Sequence, residues 1–226
     1  MRNPNAPTGT VTEFFREPNM AFFASRIAPE MAQRLGRKLL VGIVGCSSGE
    51  EAWSLAAALT VQDVPYAIEA FDANQEALNQ AQKPYPLKKF DEIALGVKVN
   101  KFPKSCVNYF TKHTVWPKRG VYVSPSLKRL ATFTKLNVQH NPIPAGRYDA
   151  VFMTNVLYHY KPEEQVELFA NVMPGLTHKG LFTVGCYKGD LTAAGHLANH
   201  FPITPMTGTG RWDGTFFTVK DEGAKR

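Results

Sequence analysis

The sequence predicts an α/β fold built on an open, mostly parallel sheet. The apolar, β-branched run Leu39–Val44 is typical of a buried parallel strand, and a small-residue turn, Gly45–Gly49, follows it. Helical spacing of apolar residues begins at Glu50, and a second apolar run, Tyr66–Phe71, ends in Asp72. A chain of 226 residues with 44% hydrophobic content is long enough for one such domain with a full core.

Composition excludes several classes of protein. No apolar run approaches the ~20 residues of a membrane span, and the polar N-terminus lacks the apolar stretch of a signal peptide, so no membrane insertion is expected. The cysteines Cys46, Cys106 and Cys186 are odd in number and contain no C-x-x-C pair. They indicate neither a disulfide framework nor a metal site, and they favour a reducing, cytoplasmic location.

The positive charge is concentrated in one segment. The chain has a net charge of +7, yet Lys83 to Arg129 alone holds eleven Lys and Arg against two acids, Asp91 and Glu92, a local balance of +9. Such a segment points to an anionic partner, an acidic protein first and a nucleic acid second. A solvated, lysine-rich surface without a partner is the alternative.

The turn after the first strand predicts a cationic rather than a phosphate ligand. Gly49 is followed by Glu50 and Glu51, where a P-loop needs Lys and Ser or Thr, and the glycines do not follow the G-x-G-x-x-G pattern. Two carboxylates at the mouth would repel a pyrophosphate. S-adenosylmethionine carries a sulfonium and an ammonium but no phosphate, and it fits these charges. Asp72 stands some twenty residues beyond the turn, the usual place for a carboxylate that binds ribose hydroxyls. A generic strand-turn-helix with solvated acids is the alternative.

Several motifs occur in a fixed order along the chain. They are Thr12-Glu-Phe-Phe-Arg16-Glu-Pro, Gly45-Cys-Ser-Ser-Gly-Glu-Glu51-Ala, Asp72 after the second strand, Thr132–Asn137, and Tyr148–Leu157. In this order they resemble the CheR family of chemotaxis-receptor methyltransferases, which transfer methyl from S-adenosylmethionine to glutamate carboxylates. The resemblance covers roughly Val11 to Lys220.

The resemblance implies a class I S-adenosylmethionine-dependent methyltransferase fold. This is a Rossmann-like seven-stranded sheet with the last strand antiparallel and a small inserted β-subdomain. Residues 1–10 are then a disordered lead-in and residues 11–226 the catalytic domain. The basic β-subdomain falls within about 83–135, where Pro84, Pro86 and Pro103 are expected to break up regular structure and a hairpin near Lys118–Gly120 is expected. Elsewhere the sequence itself predicts a helix from Asn19, another over Asp190–His200 and a final antiparallel strand over Trp212–Val219. Compared with the family's pattern, the helical N-terminal domain is expected to be missing here, because the first motif begins at Thr12.

The resemblance also implies roles for individual residues. Gly45 lies in the turn whose backbone approaches the ligand, and Asp72 holds the ribose. Arg16 and His159 are the candidate catalytic residues, Arg16 because a guanidinium orients a carboxylate through two hydrogen bonds. The residues expected to contact the cofactor are Thr12, Arg16, Gly45, Glu51, Asp72, Asn137, Val138, Met153 and Thr154.

The acceptor half departs from the family's pattern, so the acceptor stays open. Thr154 replaces an arginine, His159 replaces a tyrosine, and Gly185–Lys188 reads Gly-Cys-Tyr-Lys where the family has Gly-His-Ser-Glu. The first hypothesis is methylation of carboxylates on a chemotaxis receptor or another acidic protein. The second is a small-molecule or RNA acceptor, with His159 as a base. The third is a non-catalytic signalling module that binds the cofactor.

Overall fold

The computed structural model describes residues 12–220, so the lead-in predicted over residues 1–10 lies outside the described residues. The strands are β1 Leu39–Val44, β2 Tyr66–Asp72, β3 Phe110–His113, β4 Gly120–Val123, β5 Ala131–Lys135, β6 Tyr148–Met153, β7 Leu176–Val184, β8 Ile203–Pro205 and β9 Phe216–Val219. The α-helices are α1 Pro18–Phe22, α2 Ala28–Leu35, α3 Glu50–Val61, α4 Gln75–Ala81, α5 Lys88–Val99, α6 Pro125–Lys128, α7 Pro162–Ala170 and α8 Lys188–Leu197.

One seven-stranded sheet organises the fold, in the order β5-β2-β1-β6-β7-β9-β8. β1 pairs in parallel with both β2 and β6, β2 with β5, and β6 with β7, while β9 is antiparallel to β7. This confirms the predicted fold. Because the strand order reverses direction at β1, a crevice opens at the carboxyl ends of β1 and β6, where ligands bind in such sheets.

Helices cover both faces of the sheet. A first core cluster joins α3 to the sheet through residues such as Trp53 and Leu55, and it contains Phe23 from the helical run after α1. A second cluster packs Phe169 of α7 and Leu197 of α8 against the other face. Burial on both sides explains why the central strands are apolar without alternation.

The helix predicted from Asn19 is a continuous helical run with one irregular turn. α1 passes into a π-helical turn, Phe23–Ile27, and then into α2. The segment before α1 is fixed by its aromatic pair: Phe14 packs edge-on against Tyr85 at 5.0 Å and Phe15 against Phe102 at 4.9 Å. Both partners lie within residues 83–130, so these contacts anchor the segment before α1 to that part of the chain.

We call residues 83–130 the insert. It contains the predicted hairpin, in which β3 and β4 pair antiparallel. It also contains α5, twelve residues long, in a stretch where prolines were expected to break up regular structure. Pro84 and Pro86 precede the helix rather than interrupt it. A proline before a helix start leaves the helical hydrogen bonds intact.

The end of the sheet differs from the prediction in two details. A strand was predicted over Trp212–Val219, but β9 begins at Phe216, and Trp212 lies in a 3₁₀ turn. The edge strand β8 was not predicted. It has only three residues, too few for an alternating pattern to be visible.

Candidate active site

The turn after β1 depends on glycine at position 45. Gly45 has φ +75°, and its N–H donates to the carbonyl oxygen of Phe71 at 2.8 Å. A Cβ at this position would lie 2.5 Å from Cγ2 of Val156, in the loop after β6. The backbone of the turn therefore lies directly against that loop, beside β1, where the order of the strands reverses.

Gly45→Ala is expected to destabilise the fold by about 2–5 kcal/mol: the left-handed backbone costs about 1–2 kcal/mol and the overlap with Val156 costs about 1–3 kcal/mol more. Gly146 is the matched control: it has φ +62° with nothing within 4 Å, so Gly146→Ala carries the backbone cost alone. Urea unfolding of the two variants measures the difference. Equal losses would show that contact with Val156 does not constrain the turn.

Asp72 ties the turn to the end of β2. Its Oδ2 accepts the N–H of Ser47 at 2.8 Å and its Oδ1 accepts the N–H of Asn74 at 2.8 Å. A carboxylate has about four acceptor sites, so capacity remains for a ligand's hydroxyl groups. Beside it, Oγ of Ser47 is shielded from solvent and has no hydrogen-bond partner among the residues the structure describes.

Glu51 supplies a buried carboxyl group at the start of α3. Oγ1 of Thr154 donates to its Oε2, so the carboxyl group reaches over the end of β6. Its Oε1 is shielded from solvent and accepts no hydrogen bond from any residue in the described range. Burial raises the pKa of Glu51 to about 8, and the negative charge of Glu17 adds to the rise. An unpaired buried carboxyl oxygen of this kind is a site for a cation.

Glu50 corrects the prediction of two carboxylates at the mouth of the site. Its side chain is buried, accepts from Oγ of Ser48 at 2.7 Å, and lies 3.3 Å from Nζ of Lys89 in the insert. Successive residues of a helix do not face the same way. Only Glu51 therefore faces the end of β6, while Glu50 links α3 to the insert.

Arg16 and Glu17 lie at the edge of the same site. Nε of Arg16 is 3.3 Å from Oε1 of Glu17, and the arginine side chain is 28% exposed. Glu17 also accepts from Nδ2 of Asn155 at 2.6 Å and from the N–H of Cys186 at 3.0 Å. Sequence reasoning missed Glu17 and Asn155, although each stands inside a quoted motif. Glu17 joins the loops after β6 and β7.

Asp190 is a second buried carboxyl group that sequence reasoning missed. It has no exposed surface and accepts the N–H groups of Asn155 and Tyr158, the latter at 3.4 Å. Burial raises the pKa of Asp190 to about 6. The signal for it was an acid in the first turn of a predicted helix. Asp190 fixes the loop that follows β6.

His159 stands apart from this network. Its ring lies 4.0 Å from that of Tyr158, is largely exposed, and makes no hydrogen bond with any residue of the described chain in the structure. Partial burial lowers the pKa of His159. Burial raises the pKa of Tyr158, whose charged neighbours include Asp190 and Arg16. Tyr158 rather than His159 therefore faces the charged cluster.

Asn137 and Val138 lie beside Asp72, as their position after β5 predicts. The N–H of Leu136 donates to the carbonyl oxygen of Asp72 at 2.9 Å, which holds this segment against β2. Oδ1 of Asn137 accepts from the N–H of Gln139 at 3.1 Å. The segment is thus fixed next to the carboxylate.

For two residues predicted to contact the cofactor, Met153 and Thr12, the structure does not show a side chain that faces the site. Met153 has no exposed surface and packs in the second core cluster, so its side chain does not line open space. The carbonyl oxygen of Thr12 accepts from Nζ of Lys89 at 2.9 Å, at the side of the insert. Arg16, Glu51 and Thr154 are the predicted residues that the structure brings together.

Comparisons with known proteins agree with this arrangement. The family model described as "CheR methyltransferase, SAM binding domain" matches residues 10–190. The chain is 29% identical over 200 residues to chemotaxis protein methyltransferase 2 of Pseudomonas aeruginosa, covering 85% of this chain and 68% of that protein. It is 27% identical over 210 residues to the chemotaxis protein methyltransferase of Escherichia coli, covering 90% of this chain and 68% of that one.

Among solved structures, magnesium protoporphyrin IX methyltransferase from Synechocystis with bound S-adenosylmethionine has a TM-score of 0.43 at 17% identity. The alignment covers 89% of this chain and 79% of that one. The family match extends over most of the chain and includes the turn, the buried Glu51 and the ends of β2, β5 and β6. The chain therefore belongs to the CheR family of methyltransferases, enzymes that use S-adenosylmethionine as cofactor.

Proposed function

We propose that this enzyme transfers a methyl group to side-chain carboxylates of an acidic protein and forms glutamate methyl esters, with a chemotaxis receptor as the leading substrate. The observation that carries the proposal is the partly exposed guanidinium of Arg16, fixed against Glu17 at the edge of the Glu51–Thr154 pair. The names of the similar proteins, chemotaxis protein methyltransferases, support the same acceptor.

The residues present fit the cofactor. Oε1 of Glu51, shielded and unpaired among the described residues, would accept the ammonium group, and Oγ of Ser47 is a second shielded polar atom without a partner there. Asp72 would bind the ribose hydroxyls. Asn137 and Val138 would flank the adenine. Small side chains at the Gly45 turn leave the backbone open to the ligand.

Methyl transfer to a carboxylate asks for positioning rather than proton transfer. The bound cofactor supplies an electrophilic methyl group on a sulfonium with a neutral leaving group. A glutamate side chain is already ionised at neutral pH, so no general base is needed. Its oxygen would form the bond to the methyl carbon as the bond from sulfur breaks, and no proton would need to move. Arg16 would hold the acceptor carboxylate through charge-assisted hydrogen bonds. Such positioning lowers a barrier by up to ~7–11 kcal/mol.

The insert is the proposed docking surface for the acidic protein. Both of its acids are paired, Asp91 with Lys112 at 3.7 Å and Glu92 with Lys89 at 2.9 Å. Most of its other lysines and arginines are exposed. The excess positive charge therefore faces solvent, where it attracts an acidic surface.

We also propose a reducing, cytoplasmic location. Cys46, Cys106 and Cys186 are free thiols. Within residues 12–220, no helix combines the length and the apolar composition needed to cross a bilayer. The free thiols support the location because oxidising compartments favour disulfides.

A small-molecule acceptor is the second candidate. It is favoured by an open cavity of about 510 Å³ beside the loop after β6, lined in part by Tyr158, Tyr187 and His196. The rings of Tyr158 and Tyr187 are 4.9 Å apart and form one wall. Pockets of this size hold drug-sized ligands.

Alkaline treatment of the product separates the two candidates. The enzyme is incubated with tritiated S-adenosylmethionine and an acidic-protein fraction, and the labelled product is then exposed to alkali. The proposal predicts label on protein that is released as volatile methanol, because carboxyl methyl esters are base-labile. Alkali-stable label, or label confined to small molecules, would overturn the proposal.

Arg16→Lys is expected to lower kcat for the protein acceptor by about 10- to 100-fold, because a lysine cannot make the paired contact with a carboxylate. The affinity for S-adenosylhomocysteine should change by much less. Arg26→Lys, at an exposed arginine of the π-helical turn, is the matched control and should behave as the unmodified enzyme. An equal loss in kcat and in cofactor affinity would contradict the acceptor role of Arg16.

A further inference from the structure

The tip of the β3–β4 hairpin combines exposure, apolar side chains and positive charge. We call residues 111–119 the hairpin tip; every one of them is exposed. Val115 is 75% exposed and Trp116 is 83% exposed. Removing an exposed tryptophan side chain from water is strongly favourable, and no residue of the described chain covers Trp116.

The apolar surface of the insert extends beyond the tip. The large apolar residues most exposed in the described part of the chain are all in the insert: Leu95 62%, Val99 62%, Val115 75% and Trp116 83%. Lys112 of the tip reaches Asp91 on the helix that carries Leu95 and Val99, so hairpin and helix lie side by side.

The charged residues of the hairpin tip itself are all positive, and the nearest acid that contacts it is Asp91 of α5. The hairpin tip contains Lys112, Lys118 and Arg119 and no acid. Insertion of apolar side chains between headgroups, with cations that contact anionic phosphates, is how interfacial segments bind membranes. Tryptophan is the residue that favours the headgroup level.

We propose that the hairpin tip docks on the surface of an anionic lipid bilayer. Val115 and Trp116 enter the interfacial region, and Lys118 and Arg119 contact the headgroup phosphates. The tip enters to a depth of about 5–10 Å and crosses nothing. The sequence predicts no membrane insertion because it has no apolar run long enough to span a bilayer. Contact of the hairpin tip with the bilayer surface needs no such run.

A bilayer fits the tip better than the other anionic partners do. An acidic protein accounts for the lysines but gives no reason for a tryptophan and a valine at a convex tip. Single-stranded nucleic acid is bound in grooves, where several aromatic rings stack on successive bases. The tip has one large aromatic ring, Trp116, where such binding uses several. A bilayer uses both the apolar side chains and the cations.

Vesicle sedimentation of the full chain tests the proposal. Vesicles of phosphatidylcholine alone are compared with vesicles that also contain phosphatidylglycerol. We expect binding to the anionic vesicles, weakened by salt, together with a blue shift of tryptophan emission. Trp116→Ser should remove the blue shift and weaken binding at least about tenfold, and Lys118→Gln with Arg119→Gln should weaken it comparably.

The controls separate the tip from the rest of the chain. Trp212→Phe removes a half-buried tryptophan outside the insert and should keep both the binding and the blue shift. Unchanged binding of S-adenosylhomocysteine shows that each variant is folded. Polyglutamate serves as a probe for an acidic protein partner. Absence of binding to anionic vesicles, binding unaffected by Trp116→Ser, or binding to polyglutamate without binding to vesicles would overturn the proposal. The assay involves no methyl transfer, so its outcome is independent of the acceptor.

Discussion

Glu51→Gln is expected to lower the affinity for S-adenosylhomocysteine by about 10- to 100-fold, since a hydrogen bond to a charged group contributes about 1.5–3 kcal/mol. The glutamine keeps the size of the side chain but cannot become negative opposite the ligand's ammonium group. Isothermal calorimetry measures the loss. The oxygen proposed to accept the ammonium group is Oε1, which is shielded from solvent and has no hydrogen-bond partner within residues 12–220.

The same group predicts how the affinity depends on pH. Burial raises the pKa of Glu51 to about 8, so at pH 7 the carboxyl group is mostly protonated. A bound cation favours the ionised form and lowers this pKa, so binding releases a proton. The affinity should therefore fall as the pH is lowered from 8 to 6, by up to about tenfold per unit. In Glu51→Gln this dependence should disappear.

Glu50→Gln is the matched control. Glu50 is the preceding residue and is also buried, but its partners are Ser48 and Lys89. It should leave the pH dependence of binding intact. If Glu50→Gln abolishes the dependence and Glu51→Gln preserves it, the assignment of the cation site is wrong.

Asp72→Ala is expected to weaken S-adenosylhomocysteine binding by about 100-fold or more, because two effects add. The variant loses the proposed acceptor of the ribose hydroxyls, and it releases the N–H groups of Ser47 and Asn74 that Asp72 now accepts. The second effect should also lower the free energy of unfolding by about 1–3 kcal/mol.

Asp72→Asn separates these two effects. The amide keeps one acceptor oxygen, so stability should fall less, while the loss of charge and of one acceptor still weakens the hold on the ribose. Calorimetric titration and urea unfolding of the two variants provide the comparison. Full cofactor affinity in Asp72→Ala would exclude this carboxylate from the site.

Much of the fold is predictable because local patterns and tertiary structure agree. β1, the turn and α3 follow directly from a β-branched run, small residues and helical spacing. β8 is not predictable, since its pairing with β9 comes from the sheet and not from its own three residues. The π-helical turn Phe23–Ile27, by contrast, has a cause that the sequence shows: Pro29 has no N–H to donate to the carbonyl oxygen of Ser25, which disturbs the regular helix.

The site is predictable by position more than by contact. Glu51 and Asp72 stand at strand ends and helix starts, which the sequence reveals. Glu50 lies against Lys89 because α5 packs near the start of α3, and this contact between distant parts of the chain leaves no local pattern in the sequence. Glu17 and Asp190 act on backbone N–H groups of distant loops, and such partners leave no pattern in the sequence.

The acceptor side is where the sequence carries least information. His159 is a candidate catalytic residue because it replaces a tyrosine of the family pattern. The short 3₁₀ turn Leu157–His159 exposes it and directs Tyr158 toward the charged cluster instead. A difference of one residue in such a turn changes which side chain faces the site. His159 as a catalytic residue stays a prediction.

Calorimetric titration of the unmodified protein tests the central claim, that a buried Glu51 receives the cationic end of the cofactor. S-adenosylhomocysteine and, in parallel, NAD are titrated at pH 7 in two buffers with different heats of protonation. The account predicts binding of S-adenosylhomocysteine alone, with release of about one proton per ligand. Binding without proton release would contradict the role of Glu51, and binding of NAD in place of S-adenosylhomocysteine would contradict the site as a whole.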